Sequence, residues 1–250
     1  LMGNNDQLQF TNNEQFEKGT IAFKQIIQRE PSNGDNWFWF GENYFFNGEK
    51  VLNADAVVYF KSDYLDSANA LYQKGAEVNP ANPLNHIGLG KVIWNRNKFE
   101  DARQQFFKAT TIVEDKTSKL TPQQKAVVYM KIAECYIISQ EKDFGKANAL
   151  LAKAEALDSK NPKIFILKGD AIFEQNNANG TDAIIQYKKA AELDKSSVEA
   201  ILRTGQLYGR ARNYPEALKY YQDASKIDSG FAPAYRERAE LYYRAGQYNN

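Results

Sequence analysis

The chain has 250 residues, 43% hydrophobic and 25% charged, with a net charge of +1. That balance excludes a disordered polyelectrolyte and a strong overall field for nucleic acid or anionic lipid. No run of about 18 apolar residues occurs, so no membrane-spanning helix is expected. A single cysteine, Cys135, and a single histidine, His86, exclude an intrachain disulfide and a Cys/His metal cluster, so neither metal nor cofactor is expected.

The helical pattern starts at 12–29, where Gly19, Phe23 and Ile26 give a weak first copy of a spacing that recurs down the chain. Helix 34–47 carries Trp37, Gly41 and Tyr44: a bulky residue, a small one four positions on, and a bulky one three further. Gly41 and Ala68 are 27 positions apart, against 12 between Gly90 and Ala102, so 15 extra residues lie near 49–63. This insertion contains the apolar run Ala56-Val57-Val58-Tyr59-Phe60 and reads as a longer helix pair, a loop folded back, or a lid or contact site. Helix 63–79 carries Ala68, Tyr72 and Gly75, a small–aromatic–small spacing; helix 83–96 returns to the first signature with His86, Gly90 and Ile93. Helix 99–113 holds Ala102, Phe106 and Ala109, and the polar stretch 114–119 after it reads as a lengthened turn.

The same alternation continues. Helix 122–140 has Tyr129, Ala133 and Tyr136, and its start, Thr121-Pro122-Gln123-Gln124, reads as a capping box with proline at the first helical position. Asn82-Pro83 and Asn161-Pro162 are similar helix starts. Helix 143–157 follows with Ala147, Leu151 and Ala154, helix 162–175 with Phe165, Gly169 and Ile172, and helix 181–193 with Ala183, Tyr187 and Ala190. Helix 197–210 carries Ile201, Gly205 and Tyr208, helix 214–227 Ala217, Tyr221 and Ala224, and helix 231–246 Tyr235, Ala239 and Tyr242. The leading small residues at 68, 102, 147, 183 and 217 are spaced 34, 45, 36 and 34 apart. Residues four and seven apart share one helix face. A small residue there lets a neighbouring helix approach, and bulky ones fill the groove beside it. Pairs of such helices cannot bury their faces alone and must stack.

Over roughly 12–250 this pattern resembles the tetratricopeptide repeat, whose 34-residue unit runs W-x2-L-G-x2-Y, A-x3-F-x2-A and a closing proline. Pro31 and Pro80 stand at the closing site, whereas Ser159, Lys195 and Ser229 replace it elsewhere. The resemblance implies an all-α fold: a right-handed superhelical solenoid of antiparallel helix pairs. One solenoid over 1–250 is expected, with about six repeats of which the first and last are incomplete. The helix at 231–246 has no partner after it, which reads as a fragment, a continuation into another chain, or a homodimer joined through that end.

No catalytic signature survives inspection: no phosphate-binding glycine loop and no nucleophile elbow occur. His86 occupies the slot of Trp37 and reads as a packing residue, as does Cys135. Acidic residues interrupt the C-terminal arginines, so no nucleic-acid partner is expected. The chain is therefore read as a non-catalytic protein-interaction scaffold. The alternative is a regulatory or assembly domain cut from a larger secretion-machinery protein or enzyme.

In the tetratricopeptide family the first helix of each repeat lines a concave groove. The resemblance places Phe38, Glu42 and Phe45 there, then Ile87, Lys91 and Trp94, then Ile137, then Ile166, Asp170 and Phe173, and finally Arg210, Arg236 and Arg244. That strip would suit a protein or peptide segment with apolar anchors and an acidic end. The competing reading is that its apolar members pack against neighbouring helices. The lysine–asparagine pair by which chaperone-binding members clamp a terminal carboxylate is missing. Leu207–Tyr214 and Ala234–Gly246 look similar to bacterial cell-envelope members, which points to the periplasm with the signal removed; the cytoplasm is the alternative.

Overall fold

The computed structural model describes residues 10–52, 57–60, 62–138, 141–244 and 246. Its helices are α1 (Phe16–Arg29), α2 (Gly34–Gly48), α3 (Ser62–Val78), α4 (Pro83–Asn95), α5 (Phe99–Glu114) and α6 (Pro122–Ile138), followed by α7 (Phe144–Leu157), α8 (Pro162–Gln175), α9 (Gly180–Leu193), α10 (Val198–Arg210), α11 (Tyr214–Ile227) and α12 (Ala232–Arg244). Each corresponds to a helix expected from the repeat pattern. The chain divides into two compact units, residues 1–132 and 133–250, with α6 running through the division. In the first unit α2 packs on α3 and α4 on α5; in the second α8 packs on α9 and α10 on α11. Successive pairs then meet through α3 with α4 and through α9 with α10. Antiparallel pairs stacked in series are the tetratricopeptide architecture that the sequence pattern implies.

The helix starts follow local chemistry. Asn82 and Asn161 accept the backbone N–H of Leu84 and Lys163, each just before a proline at the first helical position. The capping box forms: Thr121 Oγ1 accepts from Gln124 N at 3.2 Å, and Gln124 Oε1 accepts from Thr121 N at 2.8 Å. The first helices α4 and α10 end alike, with Asn97 and Arg212 both at φ 58°. Lys98 N–H then donates to Ile93 O and Asn213 N–H to Tyr208 O, closing the turn into the second helix of the pair.

The insertion after α2 is neither a longer helix pair nor a plain loop. It forms an antiparallel hairpin, β1 (Glu49–Leu52) with β2 (Val57–Phe60), in which Glu49 faces Phe60 and Leu52 faces Val57. The residues between the strands, including Ala56 of the apolar run, lie outside the described residues. The β-branched and aromatic content of 57–60 favours an extended strand over a helix.

Glycine–aromatic contacts lock each pair. A Cβ on Gly41 would stand 2.3 Å from the Tyr72 ring, on Gly90 2.4 Å from Phe106, on Gly169 2.4 Å from Tyr187, and on Gly205 2.7 Å from Tyr221. Gly88 approaches Tyr72 from the following repeat equally closely, at 2.4 Å, so that ring is clasped between two first helices. All four rings are buried. Gly205→Leu is therefore expected to overpack its pair and cost about 1–3 kcal/mol, read as a lowered denaturant midpoint.

Candidate functional site

The first helices carry the candidate residues, and in each unit they are drawn together around a buried carboxylate. In the first unit Glu42 of α2 is 1% exposed. It accepts from Tyr72 Oη at 2.7 Å, from Lys91 Nζ of α4 at 2.6 Å and from Lys131 Nζ of α6 at 3.4 Å. Burial acts to raise the Glu42 pKa, but the two lysines and the tyrosine hydroxyl outweigh it and hold the carboxyl below its ordinary range. Lys91 is itself buried, with its ammonium 4.2 Å from the Phe45 ring centre and 4.9 Å from that of Phe46. The four donors and acceptors thus bind three successive first helices and one second helix at a single point.

The second unit repeats the arrangement with different residues. Asp170 of α8 accepts from Tyr187 Oη at 2.7 Å and lies 3.4 Å from Arg203 Nε of α10. Here burial prevails over the attraction of Arg203 and the tyrosine hydrogen bond, and the Asp170 carboxyl is pushed up. Burial, together with the adjacent Asp170 charge, also pushes the Tyr187 phenol up. Lys163 bridges Glu199 at 2.6 Å and Glu134 at 3.7 Å. Further along, Gln206 Nε2 donates to Glu237 of α12 at 2.8 Å, and Tyr221 Oη approaches the same carboxylate at 3.5 Å.

The expected groove residues separate into three groups. Phe38, Phe45, Ile87, Trp94, Ile137 and Ile166 are all at most 5% exposed. In this structure they form core, and the packing alternative describes them: Phe38 lies against Tyr72, and Trp94 lies between Phe99 and Phe106 with ring centres 5.2 and 5.8 Å away. Side chains this large on a helix flanked by others on both sides are covered by those neighbours. Glu42, Lys91 and Asp170 are buried in the charge clusters. Only Arg210, Arg236 and Arg244 are exposed, and Phe173 is half-buried beneath Arg210, whose guanidinium sits 4.8 Å from its ring centre.

The residues that sequence reasoning missed are the polar partners: Tyr72, Tyr187, Lys131 and Arg203. No repeat-wide signal marks the tyrosines: the slot is tyrosine opposite Glu42 and Asp170 but also opposite Gln206, and it is Leu151 opposite Glu134. His86 Nδ1 lies 3.1 Å from Gln105 Oε1, a packing contact across α4 and α5. Cys135 is buried. Among the described residues no group of three His, Cys, Asp or Glu side chains is arranged to hold a metal, and no helix is long and apolar enough to cross a membrane.

Stacked antiparallel helix pairs with small residues under aromatic rings define a helical-repeat solenoid. A sequence profile of the tetratricopeptide repeat matches residues 202–249, so the repeat that the sequence resembles is present in this chain. The solved structure of the Cut9–Hcn1 assembly of the APC/C is similar in fold, with a TM-score of 0.58 at 14% identity over 96% of this chain and 42% of that one. Yeast Tom70 is similar at a TM-score of 0.59, with 18% identity over 93% of this chain and 44% of that one. In sequence, the human protein O-mannosyl-transferase TMTC1 is 24% identical over 181 residues, 69% of this chain. The chain spans only 18% of that relative's length. The likeness to bacterial cell-envelope members gains no support from these relatives.

Proposed function

We propose that the chain is a non-catalytic scaffold that holds a peptide or protein segment along the first helices of its repeats. The observation that carries this reading is the alignment of those helices within each unit: α2, α4 and α6 are tied at Glu42, and α10 and α12 at Glu237. Side chains from distant parts of the sequence thereby form one continuous face, the arrangement on which helical repeats build extended binding surfaces. An extended segment with apolar anchors and an acidic end remains the partner class proposed. Because Phe38, Ile87, Ile137 and Ile166 are enclosed, the exposed arginines and half-buried Phe173 are the groups available to such a segment. One structural neighbour is itself an assembly of two proteins, Cut9 and Hcn1, which accords with this reading.

The test is a peptide array spanning diverse acidic, basic and apolar segments, probed with the labelled chain. Saturable binding to a subset of extended segments supports the scaffold reading; an array that stays blank under conditions where the chain melts cooperatively sinks it. A second reading, that these repeats are a regulatory or assembly portion of a longer protein, is favoured by the TMTC1 match, in which the similar region is a minor part of the whole. The hairpin β1–β2 belongs to the same proposal as a lid or contact site. An isolated two-stranded hairpin is at best marginally stable in water and adds little to the stack. Replacing 49–61 by a short glycine–serine linker is thus expected to leave the melting curve nearly unchanged while altering the array pattern. A collapse of the melt would show the hairpin to be structural instead.

A further inference from the structure

Among the described residues, the inter-repeat turns 30–33, 79–82, 158–161, 194–197 and 228–231 have four residues each, whereas 115–121, between α5 and α6, has seven. The longer turn forms one wall of a half-open cavity of about 680 Å³ within the first unit, whose other walls are the starts of α2 and α4. That volume is in the range of small-molecule sites. No residue on which the scaffold reading rests lines it, so the two stand or fall separately. The charged groups of the lining are at the rim or engaged: Asp115 and Lys119 are exposed and of opposite sign, and Asp35 accepts from Asn82 Nδ2 at 2.6 Å. The Asn79 and Gln124 amides and the Ser118 hydroxyl are half-buried. Asn79 and Ser118 make no side-chain hydrogen bond among the described residues. Gln124 uses Oε1 in the capping box, which leaves its Nε2 donor. Pro83, Ile112 and Leu120 add apolar surface to the same lining.

We propose that this cavity binds a neutral sugar ring, with Asn79, Ser118 and Gln124 meeting its hydroxyls. Elimination and complementarity together select that class. Exposed rim charges of opposite sign favour no ion. The helix N-termini, ordinary anion sites, are already capped: Asn33 accepts from Asp35 N, Asn82 from Leu84 N and Thr121 from Gln124 N. No aromatic ring lines the cavity to stack a planar base. The groups left over are two amides and a hydroxyl, which offer both donors and acceptors. Sugar hydroxyls are likewise both donor and acceptor, and the C–H face of the ring can lie on Pro83, Ile112 and Leu120. An ion or a wholly apolar ligand would leave those amides unpaired, at the cost of their desolvation.

The experiment follows the side-chain amide signals of the full chain in ¹H–¹⁵N correlation spectra. The probes are glucose, methyl β-glucoside, N-acetylglucosamine, glycerol and inorganic phosphate. At least one of the three sugars is expected to move the Asn79 and Gln124 signals saturably, while glycerol and phosphate do not. A response to glucose without methyl β-glucoside identifies a free sugar as the ligand; a response to the methyl glycoside identifies a unit within a glycan. Asn79→Ala should weaken the Gln124 response about ten-fold, the scale of one lost hydrogen bond, while Asn148→Ala on exposed α7 leaves it unchanged. Ser118→Ala supplies the same test if Asn79→Ala lowers the melt. The proposal is overturned if no sugar moves these signals, if glycerol or phosphate is as effective, or if Asn79→Ala and Ser118→Ala both respond like the parent.

Discussion

Lys91→Ala is expected to lower the stability of the chain by about 3–5 kcal/mol, the range for removing one partner of a buried ion pair. The substitution strips Glu42 of its closest cation, 2.6 Å away, and leaves a carboxylate that is 1% exposed. Lys131 at 3.4 Å and the Tyr72 hydroxyl remain, so the loss should fall toward the lower end. Glu42→Leu combined with Lys91→Met should recover only part of it: both charges of the closest pair leave together, but Lys131 and the buried Tyr72 hydroxyl lose their Glu42 acceptor. Chemical denaturation of the two variants at pH 7 measures the difference. A loss below about 1 kcal/mol for Lys91→Ala would mean the pair is as dispensable as a surface one.

The same carboxylate sets a pH dependence. Its folded pKa lies below the ordinary value of 4.5, so the stabilisation is present above that pH and is lost as pH falls through the lower, folded value. Asp170 has the opposite sign. Its pKa is raised by burial, so its charged form opposes folding at neutral pH, and protonation on acidification relieves that cost. Acid unfolding followed by tryptophan fluorescence is therefore expected to report loss of the Glu42 cluster first, because Trp37, Trp39 and Trp94 all lie in the unit that contains it. In Glu42→Gln the fluorescence transition should become shallower in acid.

Trp94→Ala is the second large effect, at about 3–5 kcal/mol, the cost of deleting a buried large aromatic side chain. Trp94 is 5% exposed, stacked on Phe106 and edge-on to Phe99, with the Arg103 guanidinium 5.6 Å from its ring. The groove placement expected a variant that folds normally and binds weakly; the packing observed here expects one that melts well below the parent. Thermal melts of Trp94→Ala beside Arg210→Gln decide between them. A Trp94→Ala protein that melts with the parent but loses array binding would return this residue to the groove.

Much of this protein was legible in its sequence because its order is local. Small and aromatic residues at four- and seven-residue spacings set the helices, and Asn82, Asn161 and the Thr121–Gln124 box set their starts, each through bonds within a few residues. The repetition of the pattern then fixes the pairing, since each helix packs chiefly on its neighbours in sequence. What lay beyond the sequence was burial on the first helices. A large apolar residue at a given repeat position can face an open groove or the next first helix, and helical periodicity places it on the same side in both cases. Only the stacked structure shows that Ile87 and Trp94 are covered, and that Glu42, Lys91 and Lys131, up to 89 residues apart, share one buried cluster. The hairpin at 49–60 was hidden for a related reason: a short apolar run fits a strand or a helix equally until its pairing is known. Local spacing determined which residues form helices and which helices pair; contacts across repeats decided which side chains are enclosed and set the Arg210 guanidinium against the Phe173 ring.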